Sequence, residues 1–87
     1  MNRDAQPKFG KGVKLRRESE GSDMLLVPEG ALFLNRQAAA ALELVDGKRT
    51  VAEIVDMLVE RFEVTPERAS EDLDNLFDRL TQRGFLS

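Results

Sequence analysis

The stretch MLLVPEGALFLN, residues 24–35, decides the fold of this chain. Two short apolar runs, 24–27 and 31–34, flank Pro28-Glu29-Gly30. Proline presets φ at the second position of a turn, and glycine can close it. Asn35 follows as a residue type that commonly caps a helix N-terminus. The stretch therefore predicts two strands of a hairpin that lead directly into a helix.

Apolar periodicity on either side of this stretch predicts one more strand and three helices. Residues 13–17 alternate at their start, as a half-buried strand does, and residues 18–22 have turn composition. Capping and breaking residues then predict helices from Asn35 to Gly47, from Thr50 onward, and from Thr65 to Gly84. The predicted fold class is α+β, a winged helix-turn-helix-like arrangement of a three-stranded antiparallel sheet followed by three helices.

The first twelve residues are predicted to be a flexible N-terminal tail. They are polar, contain Pro7, Gly10 and Gly12, and show no apolar period. Residues 13–87 are then the single folded domain that a chain of 87 residues allows.

The composition argues against several functional classes. The chain has no cysteine and no histidine, which removes disulfides, thiolate chemistry and the commonest metal ligand and general base. We therefore expect no enzyme activity, no metal and no cofactor. No apolar run is long enough to span a membrane, and residues 1–12 contain no secretory signal. We expect a cytoplasmic protein, since the lack of disulfides is compatible with a reducing compartment.

The charge pattern argues against nucleic acid as a partner. Residues 1–20 are basic, whereas the rest of the chain is acidic. The third predicted helix occupies the place of a DNA-reading helix in a winged-helix protein, but its outward face is acidic, with Glu67, Glu71, Asp74 and Asp78. Phosphate binding requires the opposite sign. A DNA-binding regulator remains an alternative that this face disfavours.

The two apolar runs predict a surface that a partner covers. A strand with one face in water should alternate, whereas 24–27 and 31–34 are apolar on both faces. An open sheet edge beside an apolar helix is suited to the addition of a peptide strand. A second copy of the chain is the alternative occupant, and a monomer or weak homodimer is expected. If the Leu32 N–H faces such a guest, proline at that position should weaken binding.

Several segments together resemble the PqqD family of pyrroloquinoline quinone biosynthesis. They are LVPEGALFLN (26–35) with Ala38, LELVDGKRTVAEIV (42–55) and GFL (84–86). Domains of this family are the prototype of the elements that recognise ribosomal precursor peptides before modification. Val45 and Phe85 stand where the family often has Cys and Trp. Both replacements are apolar, and they leave open a PqqD-like domain from another peptide pathway.

The resemblance implies a peptide chaperone. Such a protein would bind the precursor peptide PqqA as a strand beside the third strand and against the third helix, and would present it to the radical SAM enzyme PqqE. The strand positions follow from the groove of the family. The helix positions are the apolar stripe of the third predicted helix and the residues along one flank of that stripe. The implied peptide-binding residues are Ala31, Leu32, Phe33, Leu34, Ala69, Asp72, Leu73, Leu76 and Arg79.

Overall fold

A computed structural model of the chain describes residues 1–18 and 23–87. The element order is β1 (Lys14–Arg16), β2 (Met24–Val27), β3 (Gly30–Phe33), α1 (Arg36–Glu43), α2 (Val51–Phe62) and α3 (Pro66–Gln82). The predicted fold class is confirmed, because a three-stranded antiparallel sheet precedes three helices. Residues 19–22, in the predicted turn between the first two strands, lie outside the described residues.

The sheet has the strand order β1-β2-β3, and both pairings are antiparallel. Val27 pairs with Gly30, so Pro28 and Glu29 form a two-residue loop between β2 and β3. This register places Leu15, Leu25 and Leu32 side by side. Leu25 is fully buried and joins the core cluster formed with the helices, so this row marks the inner face of the sheet.

The three helices begin at the residues that their caps predict. Asn35 accepts a hydrogen bond from the Ala38 N–H at 2.8 Å. Thr50 forms a complete capping box with Glu53, and Thr65 caps α3 ahead of Pro66. The hydrogen bonds that Glu53 accepts from Thr50 hold the pKa of its carboxyl below the usual value.

The end of the first helix differs from the prediction. The helix was expected to reach Gly47, but α1 ends at Glu43 with Leu44 as its C-cap. Gly47 has φ 78° and lies in the following loop, where its N–H donates to the Pro7 carbonyl at 3.0 Å. Glycine tolerates this left-handed conformation without a steric penalty. Gly47, which was predicted to end the helix, therefore makes a tertiary contact with the N-terminal residues instead.

The core lies between the inner face of the sheet and the three helices. Its fully buried side chains come from the sheet, every helix and both ends of the chain; they include Phe77, Leu25, Leu42, Ile54, Leu80, Leu86, Val51 and Pro7. Across residues 1–18 and 23–87, no helix combines the length and apolar character needed to cross a lipid bilayer.

Residues 1–12, the stretch predicted to be a flexible tail, form an arm that lies against the helices and the C-terminus. Carbonyls of Ala5 and Arg3 accept hydrogen bonds from the first two N–H groups of α2, those of Val51 and Ala52. Such groups have no partner within their own helix. The arm then pairs with the C-terminus, where the Lys8 N–H and carbonyl both bond to Ser87 at 2.9 Å. The arm thus completes the α2 cap, which periodicity alone does not reveal.

A side-chain ion pair also joins this arm to α3. The Arg3 guanidinium donates to both carboxylate oxygens of Asp74, at 2.8 and 3.1 Å. These hydrogen bonds lower the pKa of Asp74, although partial burial acts in the opposite direction. The folded protein therefore holds a proton on Asp74 less readily than the unfolded chain does, so this contribution favours folding above the ordinary carboxyl pKa.

We expect Asp74→Asn to lower the free energy of unfolding by about 0.5 kcal/mol near neutral pH, the magnitude typical of a partly exposed pair. The difference from the unmodified protein should shrink as the pH falls through the lowered pKa of Asp74. Urea unfolding followed by circular dichroism at several pH values measures this. Glu71→Gln, on the same acidic face of α3, is the matched control. An Asp74→Asn effect that persisted in strong acid would contradict the Arg3 assignment.

Candidate functional site between strand β3 and helix α3

An open groove of about 740 Å³ runs between β3 and α3. The groove also receives residues from α1 and from the end of α2, so all three helices contribute to it. Most of the helix residues that line it are apolar. The full lining is Leu32, Phe33, Leu34, Asn35, Gln37, Ala38, Ala41, Leu58, Phe62, Val64, Arg68, Ala69, Asp72, Leu73, Asn75, Leu76, Arg79, Leu80 and Arg83.

The structure brings together nearly all the residues that the family resemblance implied for a peptide site. Eight of the nine line this one groove, namely Leu32, Phe33, Leu34, Ala69, Asp72, Leu73, Leu76 and Arg79. Ala31 lines an adjoining hollow of about 240 Å³ at the hairpin end of β3. Leu32 and Arg83 border both spaces, so the hollow continues the groove.

Strand β3 is an edge strand, and its register shows which backbone groups are open. The Leu34 N–H donates to the Asp23 carbonyl at 3.0 Å, toward the β2 side. Because backbone groups alternate in direction along a strand, the Leu32 N–H also points toward β2. The N–H and carbonyl groups of Ala31 and Phe33 point away from β2. The condition set for Leu32, an N–H that faces a guest strand, is therefore not met, and the outward donors are the N–H groups of Ala31 and Phe33.

The side chains of β3 divide between two surfaces. Leu32 and Leu34 are half-buried and face the groove side. Ala31 and Phe33 alternate with them and are exposed toward the opposite face of the sheet, although Phe33 also borders the open groove. A strand that combines two apolar faces with an unpaired edge offers a neighbour both backbone hydrogen bonds and apolar contact.

The charged side chains along the groove are mostly basic. They comprise three arginines and one aspartate, in a chain whose formal net charge is −3. Arg68 Nε donates to Asp72 at 3.3 Å, one helical turn away. Neither Arg79 nor Arg83 forms an ion pair with a residue in the described part of the chain. The end of α3 nearest the hairpin can therefore receive an acidic group.

Sequence reasoning did not assign the remaining groove residues from α1 and the α2–α3 junction. Ala38 and Ala41 belong to the apolar residues of the first helix and Phe62 to those of the second, and their spacing does not indicate that they also border a groove. Neither Val64, between α2 and α3, nor Asn75, within α3, carries a sequence pattern that predicts a place in the groove. In the described ranges, no three acidic side chains come together as a candidate metal site.

The family model for Coenzyme PQQ synthesis protein D (PqqD) matches residues 24–86. The chain belongs to the PqqD family. It is 49% identical over 67 residues to a Klebsiella pneumoniae protein named PqqA binding protein, covering 76% of this chain and 70% of that one. A Pseudomonas syringae protein of the same name is 33% identical over 81 residues, or 92% and 85% of the two chains.

A solved structure supports the same assignment. It is the solution NMR structure of the PqqD truncation of Methylobacterium extorquens PqqCD, described as a functional and stand-alone RiPP recognition element. The two folds match with a TM-score of 0.79 and 32% identity, over 93% of this chain and 87% of the other. The likeness thus extends over most of this PqqD-family chain.

The register of β3 is testable through folding. Leu32→Pro should lower the free energy of unfolding by about 3 kcal/mol or prevent folding, because it removes a hydrogen bond to β2. Ala31→Pro should cost less than about 1 kcal/mol, since proline is tolerated where an edge N–H faces water. Urea unfolding measures both. Leu32→Ala, which keeps the N–H, separates the loss of the side chain from the loss of the donor. Equal costs at the two proline positions would contradict the register.

Proposed function

We propose that this protein is a peptide chaperone that binds the precursor peptide PqqA as an added strand beside β3 and presents it to the radical SAM enzyme PqqE. The observation that carries the proposal is the open edge of β3 alongside the groove. Membership of the PqqD family and the name of the two relatives, PqqA binding protein, support the choice of peptide.

Strand addition uses groups that the fold leaves available. The outward N–H and carbonyl groups of Ala31 and Phe33 would pair with the peptide backbone, which fixes its register without regard to sequence. Alternate peptide side chains would enter the groove against Leu32, Leu73 and Leu76. Burial of apolar surface is favourable by roughly 25 cal/mol per Å², and ordering of the peptide offsets much of that gain. Micromolar affinity or better is expected.

The proposed role requires binding and presentation but no chemical step on this chain. The protein would act by holding the peptide extended, while the partner enzyme carries out the modification. A ribosomal peptide is made in the cytoplasm, so the proposal places the protein there. It would act as a monomer or a weak homodimer, because an unoccupied β3 edge can also pair with a second copy.

Ala31→Pro tests strand addition, since it removes an outward donor while the fold is retained. We expect it to weaken PqqA binding about tenfold, because a buried backbone acceptor of the peptide would lose its partner. Ala31→Ser keeps the N–H and should bind like the unmodified protein. The chain contains no Trp and no Tyr. A PqqA peptide that carries one added Trp therefore reports its own binding in a fluorescence titration.

The same titration tests the proposed function as a whole. A scrambled peptide and duplex DNA serve as controls, and saturation by the native peptide alone is the expected result. Equal affinity for the scrambled peptide would contradict peptide recognition, and binding of DNA alone would favour a regulator. Native affinity in a folded Ala31→Pro variant would argue against an added strand at this edge.

The two arginines at the hairpin end of the groove predict a salt effect. If Arg79 and Arg83 pair with peptide carboxylates, affinity should fall between low and high salt, because exposed pairs are screened. Arg79→Gln combined with Arg83→Gln should weaken binding severalfold at low salt and flatten the salt dependence. Lys48→Gln, which removes an exposed cation outside the groove lining, is the control. An unchanged salt dependence in the double variant would remove both arginines from the binding surface.

A further inference from the structure

The face of the sheet that points away from the helices is open and divided between charged and apolar side chains. Two cross-strand rows occupy it: Lys14, Leu26 and Ala31 form one, and Arg16, Met24 and Phe33 form the other. Both cations lie on β1, whereas the β2 and β3 positions are apolar. The apolar part of this outer face therefore lies beside the same open edge that we propose as the peptide site.

Phe33 is the most exposed large apolar side chain within the described residues. Its exposed fraction is 81%, compared with 40% for Met57 on α2. The nearest cation in its row, Arg16, is two strands away, roughly 10 Å at the usual strand spacing. Arg16 also pairs with Glu18 at 2.7 Å. An apolar partner therefore suits the surface around Phe33 better than a charged one.

The open backbone groups of β3 determine what would lie next to Phe33. A strand that bonds to Ala31 and Phe33 aligns one of its residues with each of them. Aligned residues in neighbouring strands point to the same face of the sheet, with Cβ atoms about 5 Å apart. The guest residue aligned with Phe33 would therefore lie on the outer face. The guest residue between the two that align with Phe33 and Ala31 would face the groove.

We propose that the guest peptide is recognised by two adjacent apolar side chains, one packed on Phe33 at the outer face and the next inserted in the groove beside Leu32. This inference rests on the proposed function and extends it to the class of peptide sequence that binds. A peptide read only through the groove needs alternate apolar residues. Recognition on both faces of the sheet needs consecutive apolar residues in the peptide. Strand β3 is likewise apolar on both of its faces.

The experiment is a coupling analysis with PqqA that carries one added Trp. Each apolar residue of the peptide is replaced by alanine in turn, and each peptide is titrated against the unmodified protein, Phe33→Ala and Phe33→Leu. Met57→Ala is the matched control for the loss of an exposed apolar side chain. Thermal unfolding checks that the variants keep their fold. We expect them to do so because the Phe33 side chain is exposed and its loss leaves no cavity in the core.

We expect Phe33→Ala to weaken binding of the native peptide about fivefold, Phe33→Leu to lose less and Met57→Ala to have no effect. For one of the alanine-substituted peptides, the affinity should be the same for Phe33→Ala as for the unmodified protein. Alanine at the adjacent apolar position of the peptide should weaken binding to the unmodified protein and to Phe33→Ala by the same factor. Native affinity of Phe33→Ala, or the same loss with every alanine peptide, would overturn the two-faced recognition but leave groove binding intact. Failure of the unmodified protein to bind PqqA would instead overturn the proposed function.

Discussion

The two-residue loop between β2 and β3 fixes the register on which the candidate site depends. Pairing of Val27 with Gly30 sets every later pair of the hairpin. A shift by one residue would exchange the two faces of the strand and reverse the direction of each backbone group. Leu32 would then leave the groove side, and the outward donors would no longer be those of Ala31 and Phe33. A short turn therefore determines both the chemistry of the edge and the side chains beside it.

The groove also depends on the positions of the helices. In so small a domain, contacts from both ends of the chain help to hold these helices in place. The N-terminal arm bonds to the first N–H groups of α2 and pairs with the C-terminal segment around Leu86. The arm passes so close to that segment that a Cβ on Gly10 would collide with the Gly84 carbonyl. A core of this size provides only a few kcal/mol of net stability. The terminal contacts add to this stability.

Helix α3 separates its charges between two surfaces. Asp74 lies toward the arm, where Arg3 pairs with it. Arg79 and Arg83 lie along the groove with no ion-pair partner among the described residues. An acidic protein can thus present a basic rim to a guest, because local arrangement and not net charge determines the potential at a site.

The sequence alone determined the element order and the helix starts, because turn chemistry, caps and apolar periods act over a few neighbouring positions. Periodicity did not show which strand and which helix border the groove; the resemblance to the PqqD family indicated both. Pro28, Asn35 and Thr50 each carry their signal locally. Tertiary structure alone decided the course of the arm, the use of Gly47, the direction of the Leu32 N–H and the exposure of Phe33. Each of these depends on a partner far along the chain or on the pairing register. Periodicity identifies an apolar face, but only the packed fold shows whether that face is covered.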